Sequence, residues 1–284
     1  MKANAVFAGG GIKGIGLLGA FSVAEEQGYR WEKLAGTSVG GMLAALVASG
    51  YKAREIYEII EGFDFTQLYD GDFQKLLPGL GMLTSIIFEK GIYQGRALEN
   101  WMRSLLKAKG VSTFGDLPPG RLSLIAADLT KNRMVILPDD LPAYGLTPEK
   151  FSVAQAVRMS ASLPFFFAPA LLKNGKTASY IVDGALISNF PIWLFQKENL
   201  PTFGFHFQTD HQPQKANNLL EYIQAIILTT ISGLDKRSIT QGKNTRLIAV
   251  PTLGISTADF ALTPGQKKRL YEAGRAAAQE FFRR

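Results

Sequence analysis

Cysteine is absent from this 284-residue chain. A disulfide framework, a thiolate nucleophile and a cysteine-bound metal are therefore excluded. Histidine is scarce: His206 and His211 are the only two. They cannot build a three-histidine zinc site, and no His-Glu-x-x-His run is present. No apolar run is long enough for a membrane span, and no internal repeat, low-complexity tract or linker is visible. The opening Met1-Lys2-Ala3-Asn4 leads directly into Ala5-Val6-Phe7-Ala8. That run is too short for a signal-peptide core and serves better as a first strand. The expectation is a soluble, cytoplasmic protein.

Charged residues make up only 19% of the chain and hydrophobic residues 46%, which argues against disorder and for a sizeable core. Net charge is +7, with a local concentration at Lys267-Lys268-Arg269, Arg275 and Arg283-Arg284. A basic balance reads as a solvated surface, or as attraction to an anionic membrane at its periphery or to nucleic acid. No nucleic-acid motif supports the last, so no nucleic-acid partner is expected. Asp70-Gly71-Asp72 is too sparse for a calcium loop and reads as a surface turn. Neither a metal nor a cofactor is expected.

The first fifty residues read as strand, helix, strand, helix: Ala5–Ala8, Ile15–Gln27, a short strand up to Gly36, and Val39 to Gly50. Such alternation predicts a parallel sheet covered on both faces. Further strands are expected at 122–127, 134–137, 180–182, 203–207 and 247–250. Helices are expected at 96–109, 151–159, 219–231 and 266–282. Residues 62–95 are apolar but broken by Gly62, Gly71, Pro78, Gly79 and Gly81, which reads as a cap or as core packing. A single domain over residues 1–284 with this inserted segment is the expected organisation.

Two glycine-bearing motifs carry chemistry. Gly36-Thr37-Ser38-Val39-Gly40 has the G-x-S-x-G form of a nucleophile elbow, in which a strand turns sharply into a helix and leaves a serine exposed at the bend. One βα unit earlier lies Gly9-Gly10-Gly11-Ile12-Lys13-Gly14, a turn able to aim backbone N–H groups at a developing oxyanion. The same cluster spells G-x-G-x-x-G, the dinucleotide fingerprint. That fingerprint needs an acidic residue at the end of the second strand, where the elbow stands instead, and Glu32 comes too early. A dinucleotide-binding oxidoreductase is thus a weak alternative.

A serine nucleophile needs a base. The order Ser38, Asp183, His206 matches an α/β-hydrolase triad, but His206 sits inside Phe203-Gly204-Phe205-His206-Phe207, a buried-strand pattern. His211 lies in a polar stretch. Asp183-Gly184-Ala185 follows the apolar Tyr180-Ile181-Val182, so Asp183 emerges at a strand end, where open α/β sheets place ligands. Asp-Gly is also a favoured turn pair.

Taken in order, Gly9–Gly14, Gly36–Gly40 and Asp183-Gly184-Ala185, with Met159-Ser160-Ala161-Ser162-Leu163-Pro164 ahead of the last, resemble the patatin-like phospholipase family. The resemblance runs from residue 5 to about residue 190 and weakens beyond. It implies a three-layer α/β/α fold with a mainly parallel sheet. It also implies a Ser38–Asp183 dyad, an oxyanion hole from N–H groups near Gly10 and Gly11, and motif positions at Gly9, Lys13, Gly14, Gly36, Gly40 and Gly184. The implied activity is hydrolysis of carboxylic esters of lipids, of phospholipase A or lysophospholipase type. A transacylase on the same dyad is the alternative. Ala8 departs from the family, many of whose members carry an acidic residue there. Lys13 fills the family's basic position, either balancing charge near the oxyanion or fixing the loop.

Overall fold

The computed structural model describes residues 1–70, 89–175, 177–208, 217, 219–238, 244–255 and 261–283. The chain opens with β1 (Lys2–Phe7), a 3-10 turn (Gly11–Lys13), α1 (Gly14–Glu26), β2 (Arg30–Thr37) and α2 (Val39–Ala48). This is the alternation that the hydrophobic pattern predicts. Helix α2 is buried along nearly its whole length, as its uniformly small, apolar composition requires. Helix α3 (Ala53–Gly62) follows and is not among the expected elements. Ala53, Ile56 and Ile60 are its buried residues, at helical spacing.

After β3 (Gly91–Tyr93) come α4 (Arg96–Ala108), β4 (Leu122–Asp128), β5 (Arg133–Leu137), α5 (Val153–Ser160), β6 (Phe165–Phe167), β7 (Ala170–Asn174) and β8 (Thr177–Asp183). The rest is β9 (Thr202–Phe207), α6 (Leu219–Ser238), β10 (Thr245–Val250) and α7 (Pro264–Arg283). Strands β3 and β6 form a separate pair. The other eight form one sheet, in which β10, β9, β1, β2 and β4 run parallel. Strands β5, β7 and β8 are antiparallel additions.

The pairing around β4 positions everything that follows. Residues 124 and 125 pair with both β2 and β5, and residues 126–128 with both β5 and β8. A strand has two edges, so β2 and β8 share one edge of β4. One is parallel to β4 and the other antiparallel, so the two meet head-on. Thr37, the last residue of β2, lies opposite Ile125; Asp183, the last of β8, lies opposite Ala126.

One face of the sheet, with Ala5, Phe7, Leu34, Phe203 and Phe205, packs on the main core with α1 and α2. Phe7 stacks on Phe205 at 5.2 Å and meets Phe21 of α1 edge-on at the same distance. The opposite face, with Val6, Ala8 and Ala35, is covered by Phe190, Ile192 and Phe195.

Helix α7 locks onto α1 through backbone contact. A Cβ on Gly274 would stand 1.8 Å from the Gly16 carbonyl oxygen. Gly274→Val must therefore push the helices apart. It is expected to lower stability by about 1–3 kcal/mol, the usual cost of overpacking, in urea denaturation. Part of the C-terminal basic cluster is internal rather than a free cationic surface. Lys267 is buried and donates to the carbonyls of Ile60, Glu61 and Phe63 at the end of α3 (3.1, 3.2 and 2.6 Å). Arg275 pairs with Glu26 of α1.

The centre of the expected cap, residues 71–88 with Leu80, Leu83 and Ile87, lies outside the described residues, as does His211. The described flanks are packed. Phe65 and Leu68 are buried, Phe63 stacks on Trp101 at 4.5 Å, and Tyr69 on Tyr93 at 4.6 Å. Asp70 caps α4, accepting from the N–H groups of Gly95 and Ala97 (2.6 and 2.7 Å); Gly71 and Asp72 lie outside the described residues.

Candidate active site

Ser38 stands between the end of β2 and the first turn of α2, with φ 56° and ψ −128°. That is a strained conformation for a residue with a side chain, costing on the order of 1–3 kcal/mol, and it persists only where the surroundings enforce it. The bend also needs bare backbone on both sides. A Cβ on Gly36 would lie 2.3 Å from Gly40 carbonyl atoms, and one on Gly40 would lie 2.3 Å from the Phe7 carbonyl oxygen. The strand–turn–helix context expected of the elbow is thus present, and the start of α2 lies behind the serine, with its partial positive charge.

Asp183 arrives from the opposite direction on β8. Its carboxylate is 1% exposed. Its Oδ1 accepts a hydrogen bond from the Ala185 N–H at 2.8 Å, and the Ser38 side chain stands near enough to favour its charged form. Burial drives its pKa up from the ordinary carboxylate value to about 7, against the smaller opposing pull of the Ala185 N–H and the Ser38 side chain. A carboxylate so placed is poised to gain and lose a proton near neutrality. Gly184 is required beside it, because a Cβ there would lie 2.3 Å from the Ile125 carbonyl oxygen.

The glycine-rich loop comes against the elbow. A Cβ on Gly9 would be 3.2 Å from Ser38 Cβ, and one on Gly14 would meet Val39 at 2.6 Å. Gly10 lies against the Phe207 ring, and Gly11 adopts φ 57°, in the left-handed region. Lys13 points its ammonium at Phe207, 5.1 Å from the ring centroid. Asn189 holds the loop from below: its carbonyl accepts from the Gly9 N–H (3.0 Å) and its Nδ2 donates to the Gly9 carbonyl (3.2 Å). Next to it, the Ser188 carbonyl accepts from Thr37 Oγ1 at 2.9 Å. Every motif position expected from the sequence is therefore gathered around the junction of β2, β8 and the loop after β1.

His206 lies on β9, half-buried, its ring 5.4 Å from that of Phe190. Burial lowers its pKa, and Nδ1–H donates to the Phe207 carbonyl at 3.1 Å. This is the strand histidine that the apolar run predicts. Among the described residues, no group of three or more His, Asp or Glu side chains is arranged to hold a metal, and no helix is long and apolar enough to cross a membrane.

Three residues beside Ser38 and Asp183 have partners that no local pattern announces. Ser160 Oγ accepts from the Ser38 N–H (3.0 Å) and donates to the Ile125 carbonyl (2.6 Å). The Ser162 carbonyl accepts from the Asp183 N–H (2.9 Å). Arg158, 5% exposed, donates to Ser162 Oγ and to the carbonyls of Gln94 and Ala168. Burial lowers its pKa to about 10, which leaves it charged at neutral pH.

Comparison with known proteins bears on the fold and the family. Two solved structures share the fold: VipD from Legionella pneumophila (TM-score 0.58, 20% identity) and the type III effector protein ExoU (TM-score 0.51, 16% identity). Each match covers 99% of this chain, but the chain spans only 66% and 53% of those longer proteins. The uncharacterized protein YqhO of Bacillus subtilis is 41% identical over the whole of this chain and 99% of its own length. The probable lipid hydrolase 463L of Invertebrate iridescent virus 6 is 25% identical over 66% of this chain and 61% of its own. The family model for patatin-like phospholipase matches residues 5–195, a span that contains the elbow, the glycine-rich loop and Asp183. The chain belongs to the patatin-like phospholipase family.

Proposed function

We propose that this protein is a serine acyl hydrolase that cleaves carboxylic esters of lipids, of phospholipase A or lysophospholipase type. The observation that carries the reading is the meeting, where β2 and β8 end on β4, of Ser38 at its strained elbow with the buried Asp183 carboxylate, whose charged form the Ser38 side chain favours. Ser38 Oγ attacks the ester carbonyl carbon as its proton passes to Asp183. The oxyanion is held by backbone N–H groups near Gly10 and Gly11. Collapse breaks the C–O bond, and Asp183 returns the proton to the departing alkoxide. Water then attacks the acyl-enzyme with Asp183 again as base, releasing the fatty acid and restoring Ser38. An alcohol in place of water makes the same dyad a transacylase. Lipid as the substrate class rests on family membership, and contact with a membrane surface is part of the same proposal.

The test is a panel of phospholipids, lysophospholipids and short soluble esters, scored for free fatty acid and for acyl transfer to an added alcohol. Fatty acid release from lipid esters is the expected outcome. Transfer product in excess of fatty acid would favour the transacylase, and no product from any ester would refute both. The oxyanion assignment has its own check. Gly11→Val places a β-branched residue at φ 57° and should cost about a hundred- to a thousandfold in turnover. Near-normal turnover would remove the loop from the reaction.

A further inference from the structure

We propose that Ser160 is a positioning residue whose single hydroxyl holds the Ser38 elbow in its strained conformation. The inference rests on the dyad reading for its kinetic half, but its geometric half stands alone. Ser38 has φ 56°, and its main-chain N–H goes to a side chain, Ser160, rather than to a strand or helix carbonyl. Ser160 Oγ supplies the acceptor at 3.0 Å and uses its own proton on the Ile125 carbonyl at 2.6 Å. With one proton and one acceptor role committed, the hydroxyl has one orientation and no freedom to rotate. Ser160 is wholly buried, so water does not compete.

The anchor point matters. Ile125 is the residue of β4 opposite Thr37, and its neighbour Ala126 is opposite Asp183. Ser160 therefore ties the nucleophile's backbone to the place on β4 where the two strands meet. Two residues on, the Ser162 carbonyl takes the Asp183 N–H. One short segment thus touches the main chain of both members of the dyad. Arg158 fixes that segment from behind, through Ser162 Oγ and the carbonyls of Gln94 and Ala168. A further consequence concerns the oxyanion hole. The Ser38 N–H is spent on Ser160, so donors to the oxyanion come from other N–H groups.

Ser160→Ala removes the acceptor and leaves Asp183 and the glycine-rich loop untouched. Three quantities separate positioning from mere packing: hydrogen exchange at the Ser38 amide, the rate of fluorophosphonate labelling per folded molecule, and kcat against KM on a short soluble ester. The expected result is exchange faster by about tenfold or more, labelling and kcat lower by about ten- to a hundredfold, and KM within about twofold. The pH midpoint of the reaction should not move, because the base is intact. Ser160→Cys, which adds no atom and keeps a weaker acceptor, should fall between the two.

Unchanged Ser38 exchange in folded Ser160→Ala would overturn the proposal, and so would wild-type labelling. Failure of both Ser160 variants to fold, where Ser38→Ala folds, would also overturn it by making Ser160 a core residue. Faster exchange in Ser160→Ala, in a wild-type protein that neither labels nor hydrolyses esters, would leave the clamp standing and refute the dyad reading instead.

Discussion

Ser38→Ala is expected to abolish ester hydrolysis while leaving the fold intact. Without the hydroxyl no acyl-enzyme forms, and loss of a serine nucleophile costs roughly four to six orders of magnitude in turnover. The fold should tolerate the change because alanine meets the same backbone strain at φ 56° and keeps the Ser38 N–H bond to Ser160. What disappears is the hydroxyl's favourable interaction with the Asp183 carboxylate. Circular dichroism and a thermal melt close to wild type, beside activity at background, are the predicted pair. Retained turnover would show that another group attacks the ester.

Asp183→Asn should be equally inactive yet more stable at alkaline pH. The activity follows from the loss of the only proton acceptor on Ser38 that the dyad reading provides, and should fall by several orders of magnitude. The stability follows from linkage. The carboxyl titrates near pH 7 in the folded protein and near its ordinary value in the unfolded chain. Below that ordinary value both states are protonated and burial costs nothing. As pH rises towards 7 the unfolded chain ionises while the folded protein holds its proton, so stability relative to the asparagine variant declines. The loss is complete above pH 7 and amounts to up to about 4 kcal/mol. Asparagine avoids it and keeps an oxygen for the Ala185 N–H. Denaturant curves at pH 5 and pH 8.5 should therefore diverge, with the variant gaining at the higher pH. In wild type, kcat/KM should rise with pH to a plateau above about 7, because the base acts ionised. A variant no more stable at pH 8.5 than wild type would mean that Asp183 is not ionised at a cost.

The positions of both members of the proposed dyad were marked in the sequence by neighbouring glycines, while their pairing was implied only by the family resemblance. A strand that turns into a helix around a serine needs glycine at both flanks, so Gly36 and Gly40 advertise the bend. Asp183 is followed by Gly184 because only a bare backbone fits against the Ile125 carbonyl. The head-on meeting of β2 and β8 was less accessible. Alternating strands and helices predict parallel pairing, and β8 is antiparallel. The clue was Gly175, which takes φ 58° at the first loop position directly after Asn174, itself opposite Thr177 of β8. Helix α3 was also readable, from Ala53, Ile56 and Ile60 at helical spacing and from the Glu55 carboxylate that accepts from the Lys52 N–H at 2.7 Å. Other features were not local at all. Ser160 meets Ser38 across 122 residues of sequence, and Lys267 meets Ile60 across 207. A serine in an Ala/Ser-rich run and a lysine in a basic run carry no mark of such partners.

The most direct test of the account is the site and pH dependence of fluorophosphonate labelling, with the adduct mapped by peptide mass spectrometry. The account predicts a single adduct on Ser38 in wild type, with a rate that rises through pH 7 and levels off. It predicts labelling slowed by orders of magnitude in Asp183→Asn and near wild-type labelling in folded His206→Gln. An adduct on another serine, or a rate lost with His206 and indifferent to Asp183, would contradict it.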